Sequence, residues 1–296
     1  MRTFIIALSI ISFLGCKNDS ENKNVETTDD HFLESDETNV DSLMVSNEDI
    51  ELKKQQTIKI KRDELVQKED ERKELQELIV SKVFFKEEDL YILDFKYPYL
   101  NEAIKPSYAN FNEYVQKTYI NIKGIEAQIL DDKELYCDTL RTNTSREKRK
   151  VDYKIFNINE QLISVLFYKE NYYSGAMHPS FTFDCLNFDL NRSVFMKYQD
   201  FFNDNSEEEL RLILNELLNE KIRSGEFFFD CWEISKEDFN LYKNNFVVDD
   251  LVVEFYFDDC VICPSYTGTY SIKIPLVKLL PVLRKYNFNP LVGSFK

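Results

Sequence analysis

The chain has 296 residues and a formal net charge of −16 at pH 7, with 53 acidic side chains against 37 basic ones. An acid excess of this size excludes a nucleic-acid-binding surface, which needs concentrated Lys and Arg to displace phosphate counterions. It favours encounters with cationic partners, and the two histidines, His31 and His178, exclude a His-rich metal centre.

Residues 1–16 read as a lipoprotein signal peptide. Arg2 precedes a run of about a dozen apolar residues, too short for a mature membrane-spanning helix and laid out as a secretory signal. The run ends at Phe13-Leu14-Gly15-Cys16, which resembles the lipobox of bacterial lipoproteins, with Phe13 where Leu is usual. The resemblance implies cleavage before Cys16 and its acylation as the mature N-terminus, palmitate being one such chain, so that the membrane partner is reached through lipid. No other run has the length of a transmembrane helix, so lipid is the only anchor expected. Lys17-Asn18-Asp19-Ser20-Glu21 is similar to the Lys-plus-acid signals of some surface lipoproteins. The expected location is therefore the cell envelope, on the outer membrane and facing outward.

Residues 17–49 are acidic and poor in aromatics, the composition of a disordered tether, and His31 is read there as solvated. Residues 50–82 are dense in Lys, Glu, Gln and Arg and read as a charged stalk helix. Ile58, Leu65 and Ile79 keep a seven-residue spacing that Arg72 interrupts, which argues against a coiled coil.

The globular part is expected from Val83. Leu90–Phe95 reads as a strand. Tyr108, Phe111, Val115 and Ile122 recur at helical spacing, with Ser107 as cap and Gly124 as stop. Strands are expected at Leu135–Leu140, Val151–Asn157 and Gln161–Tyr168, the last apolar on both parities as in a central strand. The segment Tyr172–Phe202 then reads as loop, strand, tight turn, strand and a short helical turn at Lys197–Phe202. Its apolar parity changes from Phe181, Phe183 and Cys185 to Leu186, Phe188 and Leu190, which requires either a bulge or cover on both faces. Ser206-Glu207-Glu208-Glu209 reads as a capping box opening a strong helix that Gly225 ends. A short helix at Ser235–Tyr242, strands at Leu251–Phe257 and Thr269–Ile274, and a terminal helix at Leu276–Leu280 follow. Strands with two long helices and short connections define the fold class: α+β, a mainly antiparallel sheet packed with two long helices.

Five cysteines follow Cys16: Cys137, Cys185, Cys231, Cys260 and Cys263. They allow up to two disulfides and one leftover thiol, with the pairing open. Cys260 and Cys263 have redox-motif spacing but a strand-like context, so all five are read as structural, as disulfides or buried thiols.

His178 is the histidine of the folded part. It can serve as a ligand contact or general base at a loop tip, or its ring can hydrogen-bond the backbone and fix the turn before Pro179. The sequence supplies it no catalytic partner, so no catalytic residue, metal or cofactor is assigned. Asp258-Asp259 is read as a strand end and Glu207–Glu209 as a helix start. Phe227-Phe228-Phe229 with Trp232 forms either an exposed groove or a buried edge, and the buried edge is preferred.

Tyr173–His178 with the aromatic hairpin, Tyr198-Gln199-Asp200-Phe201-Phe202 and the following helix resembles the C-terminal domain of RsiV-type anti-sigma factors. The Phe255–Tyr270 strand-loop-strand and Ile274–Leu280 are similar to that domain's closing elements. Tyr97-Pro98 and the Phe111–Ile122 helix resemble the companion domain shared with PdaC-type peptidoglycan deacetylases. Together the two resemblances cover roughly residues 85–285, split as a PdaC-like N-terminal subdomain at 83–160 and an RsiV-like C-terminal subdomain at 161–296. Gly175-Ala176-Met177-His178 departs from the family's Gly-Gly-Ala-His. The resemblance implies a stand-alone, lipid-anchored binding module without the flanking sigma-binding or deacetylase functions. It would recognise a lysozyme-like cationic protein or peptidoglycan through Tyr173, Gly175, His178 and Trp232. The alternatives are a peptidoglycan-modifying enzyme and a structural envelope protein.

Overall fold

The computed structural model describes residues 77–135, 146–158, 161–249, 251–285 and 289–293. The expected signal peptide with Cys16, the tether, the stalk up to residue 76 and the strand expected over residues 136–140 lie outside them. Leu135 itself ends a helix rather than opening a strand.

Six strands form one sheet in chain order: β1 (Ile79–Glu87), β2 (Tyr91–Leu100), β3 (Glu147–Ile158), β4 (Leu162–Tyr172), β5 (Ser180–Asp189) and β6 (Val194–Met196). All neighbours are antiparallel except β2 and β3, which run parallel. The crossover between those two carries helix α1 (Ala109–Glu113), which continues as a π-helix over Tyr114–Ile120, and helix α2 (Ile122–Leu135). Strands on both sides of residue 160 therefore share one sheet. A second sheet holds β7 (Phe246–Val248), β8 (Val252–Tyr256) and β9 (Ser271–Pro275), all antiparallel. The fold is α+β with antiparallel pairing dominant, as the sequence implies.

The layers follow from side-chain parity. On β4, Ile163, Val165 and Phe167 pack with Phe111, Val115, Ile120 and Ile129 of the crossover helices. Leu166 and Tyr168 point the other way, onto Val247 and Tyr256 of the second sheet and Tyr270 just before β9. Both parities of β4 are buried because each face has its own cover. The parity change on β5 has the same cause. Phe181, Phe183 and Cys185 face the second sheet, Phe188 and Leu190 face the helices, and the β4–β5 register runs unbroken, with no bulge. The far face of the second sheet (Phe246, Val253, Phe255, Ile272 and Ile274) is closed by α3 (Tyr198–Phe201), α4 (Glu207–Arg223), α5 (Lys236–Tyr242) and α6 (Leu276–Leu279).

Several local readings differ from the structure. Ile79–Lys82, expected at the end of a stalk helix, opens strand β1. Its β-branched Ile79, Val80 and Val83 suit the edge of a sheet, where pairing with β2 outweighs the helical propensity of the lysines. Ser107 does not cap: its hydroxyl bonds Ser193 Oγ at 2.6 Å. The helix breaks at Asn121, which has φ +38°, and not at Gly124. Gly124 sits within the next helix, where a Cβ would lie 2.3 Å from the side-chain Nδ2 of Asn121. The capping box at Ser206 does not form. Its hydroxyl donates instead to Asn203 O at 2.6 Å and meets Tyr198 Oη at 2.8 Å. Ser235, by contrast, does cap α5, accepting from the Asp238 amide at 3.0 Å.

Candidate functional site

Strand β6 pairs only with Asn187–Asp189, so the first half of β5 presents open backbone groups. Bare edges of this kind invite uncontrolled pairing and are normally covered. Here side chains do the covering. Asn245, between α5 and β7, accepts from the Cys185 amide through Oδ1 at 2.7 Å, and its Nδ2 donates to Phe183 O at 2.6 Å and Tyr256 O at 3.0 Å. Asp258, past the end of β8, accepts from the Phe183 amide at 2.9 Å, and the Asp259 amide donates to Phe181 O at 3.2 Å. A buried pair completes the junction. Ser164 donates to Asn187 Oδ1 at 2.6 Å and accepts from the Val248 amide at 2.9 Å, while Asn187 Nδ2 donates to Phe246 O at 2.8 Å.

Because side chains rather than a strand close this edge, a cleft of about 400 Å³ remains beside it. It is lined by Tyr114 and Tyr119 of the π-helix, by Phe183–Leu186 of β5, and by Leu241, Tyr242, Asn244, Asn245 and Asp258. The π-helical turn, with its Asn121 amide reaching back five residues to Gln116 O at 3.1 Å, carries both tyrosines into the lining. Such turns recur at functional sites.

The polar groups of the cleft form two linked sets. Asp184 Oδ2 accepts from Tyr119 Oη at 2.8 Å and pairs with Lys169 Nζ at 2.9 Å. The Lys169 ammonium also stands 4.0 Å from the centre of the Tyr119 ring. Across the cleft, Asp258 Oδ2 accepts from Tyr242 Oη at 3.0 Å. Burial raises the pKa of Asp258 above the ordinary carboxylate value; the Asp184 charge adds to this, while the Phe183 and Tyr242 hydrogen bonds oppose it. Burial and then the neighbouring carboxylates push Tyr119 and Tyr242 well above the usual phenol range, so both remain donors. Cys185 is a free, buried thiol whose pKa burial also raises. The arrangement is a concave, partly aromatic surface whose carboxylates are held in place and still have lone pairs to offer.

Tyr173, Gly175, His178 and Trp232 lie outside this lining. The Arg149 guanidinium stacks 3.8 Å from the Tyr173 ring centre. Gly175 holds φ +84° in the turn that the Ala176 amide closes on Tyr173 O. His178 is exposed, and its Nδ1 lies 3.2 Å from Pro179 O. Trp232 is half-buried and donates from Nε1 to Val261 O at 2.8 Å. Trp232 thus addresses the 258–268 loop and not the cleft. Cys231–Cys263 is a disulfide and Cys260 is also disulfide-bonded, so the CxxC spacing belongs to two separate bridges. The preferred buried edge at Phe227–Phe229 is corrected: Phe228 is 43% and Phe229 82% exposed. Of the three, Phe227 packs on the core, which the chain re-enters at Cys231.

Among the described residues, no three His, Cys, Asp or Glu side chains cluster as a metal site, and no helix is long and apolar enough to cross a membrane.

No family model matches the sequence. Over 147 residues, 48% of this chain, it is 26% identical to the peptidoglycan-N-acetylmuramic acid deacetylase PdaC of Bacillus subtilis (strain 168), and it spans only 30% of that protein's length. The fold is shared with the crystal structure of a DUF3298-family member from Bacteroides fragilis. That comparison has a TM-score of 0.52 and 18% identity, covering 74% of this chain and 96% of the other. A DUF3298-family structure from Pseudomonas aeruginosa gives a TM-score of 0.48 and 13% identity, over 70% and 93% of the two chains. The chain is thus PdaC-like over part of its sequence and DUF3298-like in fold. The anti-sigma-factor side of the resemblance is not reached by these similarities.

Proposed function

We propose that this protein is a lipid-anchored module of the bacterial cell envelope that binds cell-wall glycan in the cleft beside β5. The observation that carries the reading is the lining itself. Tyrosine rings and Leu186 and Leu241 offer apolar faces, and Asp184, Asp258 and Asn244 offer polar edges. A sugar ring has the matching amphipathic surface, with C–H patches on its faces and hydroxyl groups around its rim. A volume of about 400 Å³ lies in the lower part of the ligand-pocket range and takes roughly one or two sugar rings. Similarity to part of an enzyme named for peptidoglycan supports the same choice of ligand. On this reading a lipid on Cys16 would hold the cleft at the envelope, the outer membrane being the proposed site.

The test is calorimetric titration of the full chain with soluble glycan oligomers, acetylated and deacetylated. Saturable binding that weakens at least several-fold in Tyr114→Ala and Leu241→Ala, both at the exposed rim, is expected. No binding of any oligomer would refute the reading. A second reading, capture of a cationic protein such as a lysozyme, is favoured by the net charge of −16. It requires binding to a lysozyme that persists at about 0.15 M salt, where the Debye length is about 8 Å.

A further inference from the structure

We propose that the cleft selects amino sugars bearing a free primary ammonium over their N-acetylated forms. The proposal rests on the glycan reading and adds the chemical class of the preferred ring.

The charge balance comes first. Asp184 and Asp258 both line the cleft, and among the described residues Lys169 is the cation paired there, in contact with Asp184 and acting on Asp258 only through space. With both carboxylates ionised, two negative charges face one ammonium and leave the site short of a single positive charge. The direction of the hydrogen bonds points the same way. The Tyr119 and Tyr242 hydroxyls are already spent as donors into Asp184 and Asp258. What these groups still present to a ligand is acceptor capacity. The bonds that Asp184 makes among the described residues fall on Oδ2, and its side chain is 45% exposed, so Oδ1 keeps its lone pairs for an incoming donor. An ammonium brings three donors and a charge. An acetamido group brings one N–H and no charge, and its carbonyl can take a donor only from a neutral amide such as Asn244, so it leaves the carboxylate charge unmatched.

The surroundings strengthen the preference. Phe183, Leu186 and the buried free thiol of Cys185, 8% exposed, line the cleft beside the carboxylates. An apolar floor lowers the local dielectric and makes a charge-assisted hydrogen bond worth more than in water. The Tyr114 and Tyr242 rings also lie in the lining, within reach of a bound cation. The carboxylates need little reorganisation on binding, because each is held by a tyrosine and Asp258 additionally by the Phe183 amide. A broad cleft walled by several rings fits a sugar better than the single extended side chain of a lysine.

The experiment compares a glucosamine tetrasaccharide with its fully N-acetylated counterpart, titrated into the full chain in mildly acidic, low-salt buffer. The glucosamine oligomer should bind about tenfold more tightly, the scale of one charge-assisted hydrogen bond. Asp184→Asn should remove most of that preference. Lys169→Met should shift it the other way and tighten the glucosamine complex, because it removes the competing ammonium. Thermal melts of both variants check that the fold is kept. Equal affinities, or tighter binding of the acetylated oligomer, would overturn this inference and leave the glycan reading standing. Failure of both oligomers to bind would overturn the two together. Binding of a lysine-rich peptide with no oligosaccharide bound would move the ammonium from a sugar to a protein partner and so also refute the proposal.

Discussion

Asn245 is the residue on which the junction of the two sheets most depends. Replacing it with Ala orphans three backbone groups at once: the Cys185 amide, Phe183 O and Tyr256 O. A buried polar group left without its partner costs about 1–3 kcal/mol. The cleft admits water on one side of Asn245, so the lower end of that range applies, or about 3 kcal/mol in total. For a folded unit of this size each kcal/mol moves the melting midpoint by about 2–4 °C, so Asn245→Ala should melt about 6–12 °C lower. Asn244→Ala is the matched control. It removes one bond, to the Tyr198 amide at 2.8 Å, from a more exposed side chain, and should cost about 1 kcal/mol. Thermal and urea denaturation of the two variants side by side measures the difference, and amide exchange at Cys185 reports whether the β5 edge opens before the rest. If Asn245→Ala proves no less stable than Asn244→Ala, the edge is not held by this amide and the account of the junction is wrong.

Asn187→Ala should cost about 4 kcal/mol by denaturant unfolding, because it leaves Phe246 O without its donor and the Ser164 O–H without its acceptor in a dry interface and opens a small void. Cys231→Ser opens a loop whose ends are 32 residues apart and, on the chain-entropy account, should cost about 3–4 kcal/mol; a loss below about 1 kcal/mol would contradict it. Burial raises the Asp258 pKa in the folded state, so its contribution to stability is fully present below the ordinary carboxylate value and is lost as pH rises through the raised folded value. Wild type should therefore lose stability relative to Asp258→Asn as pH climbs above about 4, and an identical pH dependence of the two proteins would exclude the shift. Phe229→Ser, at an exposed position, should change stability by less than about 0.5 kcal/mol.

Much of the architecture is legible because hydrophobic parity reports cover directly. The apolar residues on both parities of Gln161–Tyr168 announce a strand sandwiched between layers, and the structure supplies the two layers. The long helix Glu207–Arg223 carries its own periodicity and its own glycine stop at φ +77°. Where the sequence misleads, a tertiary partner outbids a local signal. Ser107 and Ser206 look like caps, yet each finds a hydroxyl or carbonyl elsewhere in the fold. Asn121, unremarkable in the sequence, ends one helix and opens the next.

The cleft was not legible for a related reason. Its members come from the crossover helix, the middle of β5, the α5–β7 connection and the end of β8, so no spacing in the sequence joins them. Two traces were nevertheless present. Asp184 is an acid placed among alternating aromatics on a strand, and Asp258 directly follows the last apolar residue of another. Asp258 reads locally as no more than a strand end, and the structure shows what that reading misses. β6 is only three residues long, so half of β5 lacks a neighbouring strand. Side chains that stand in for a strand satisfy the backbone without filling the volume a strand would occupy. That trade leaves a walled space beside a rigid edge, with carboxylates held by tyrosines and lone pairs to spare. The same economy that protects the sheet edge from stray pairing thus creates a recess where aromatic rings, carboxylates and a buried thiol converge.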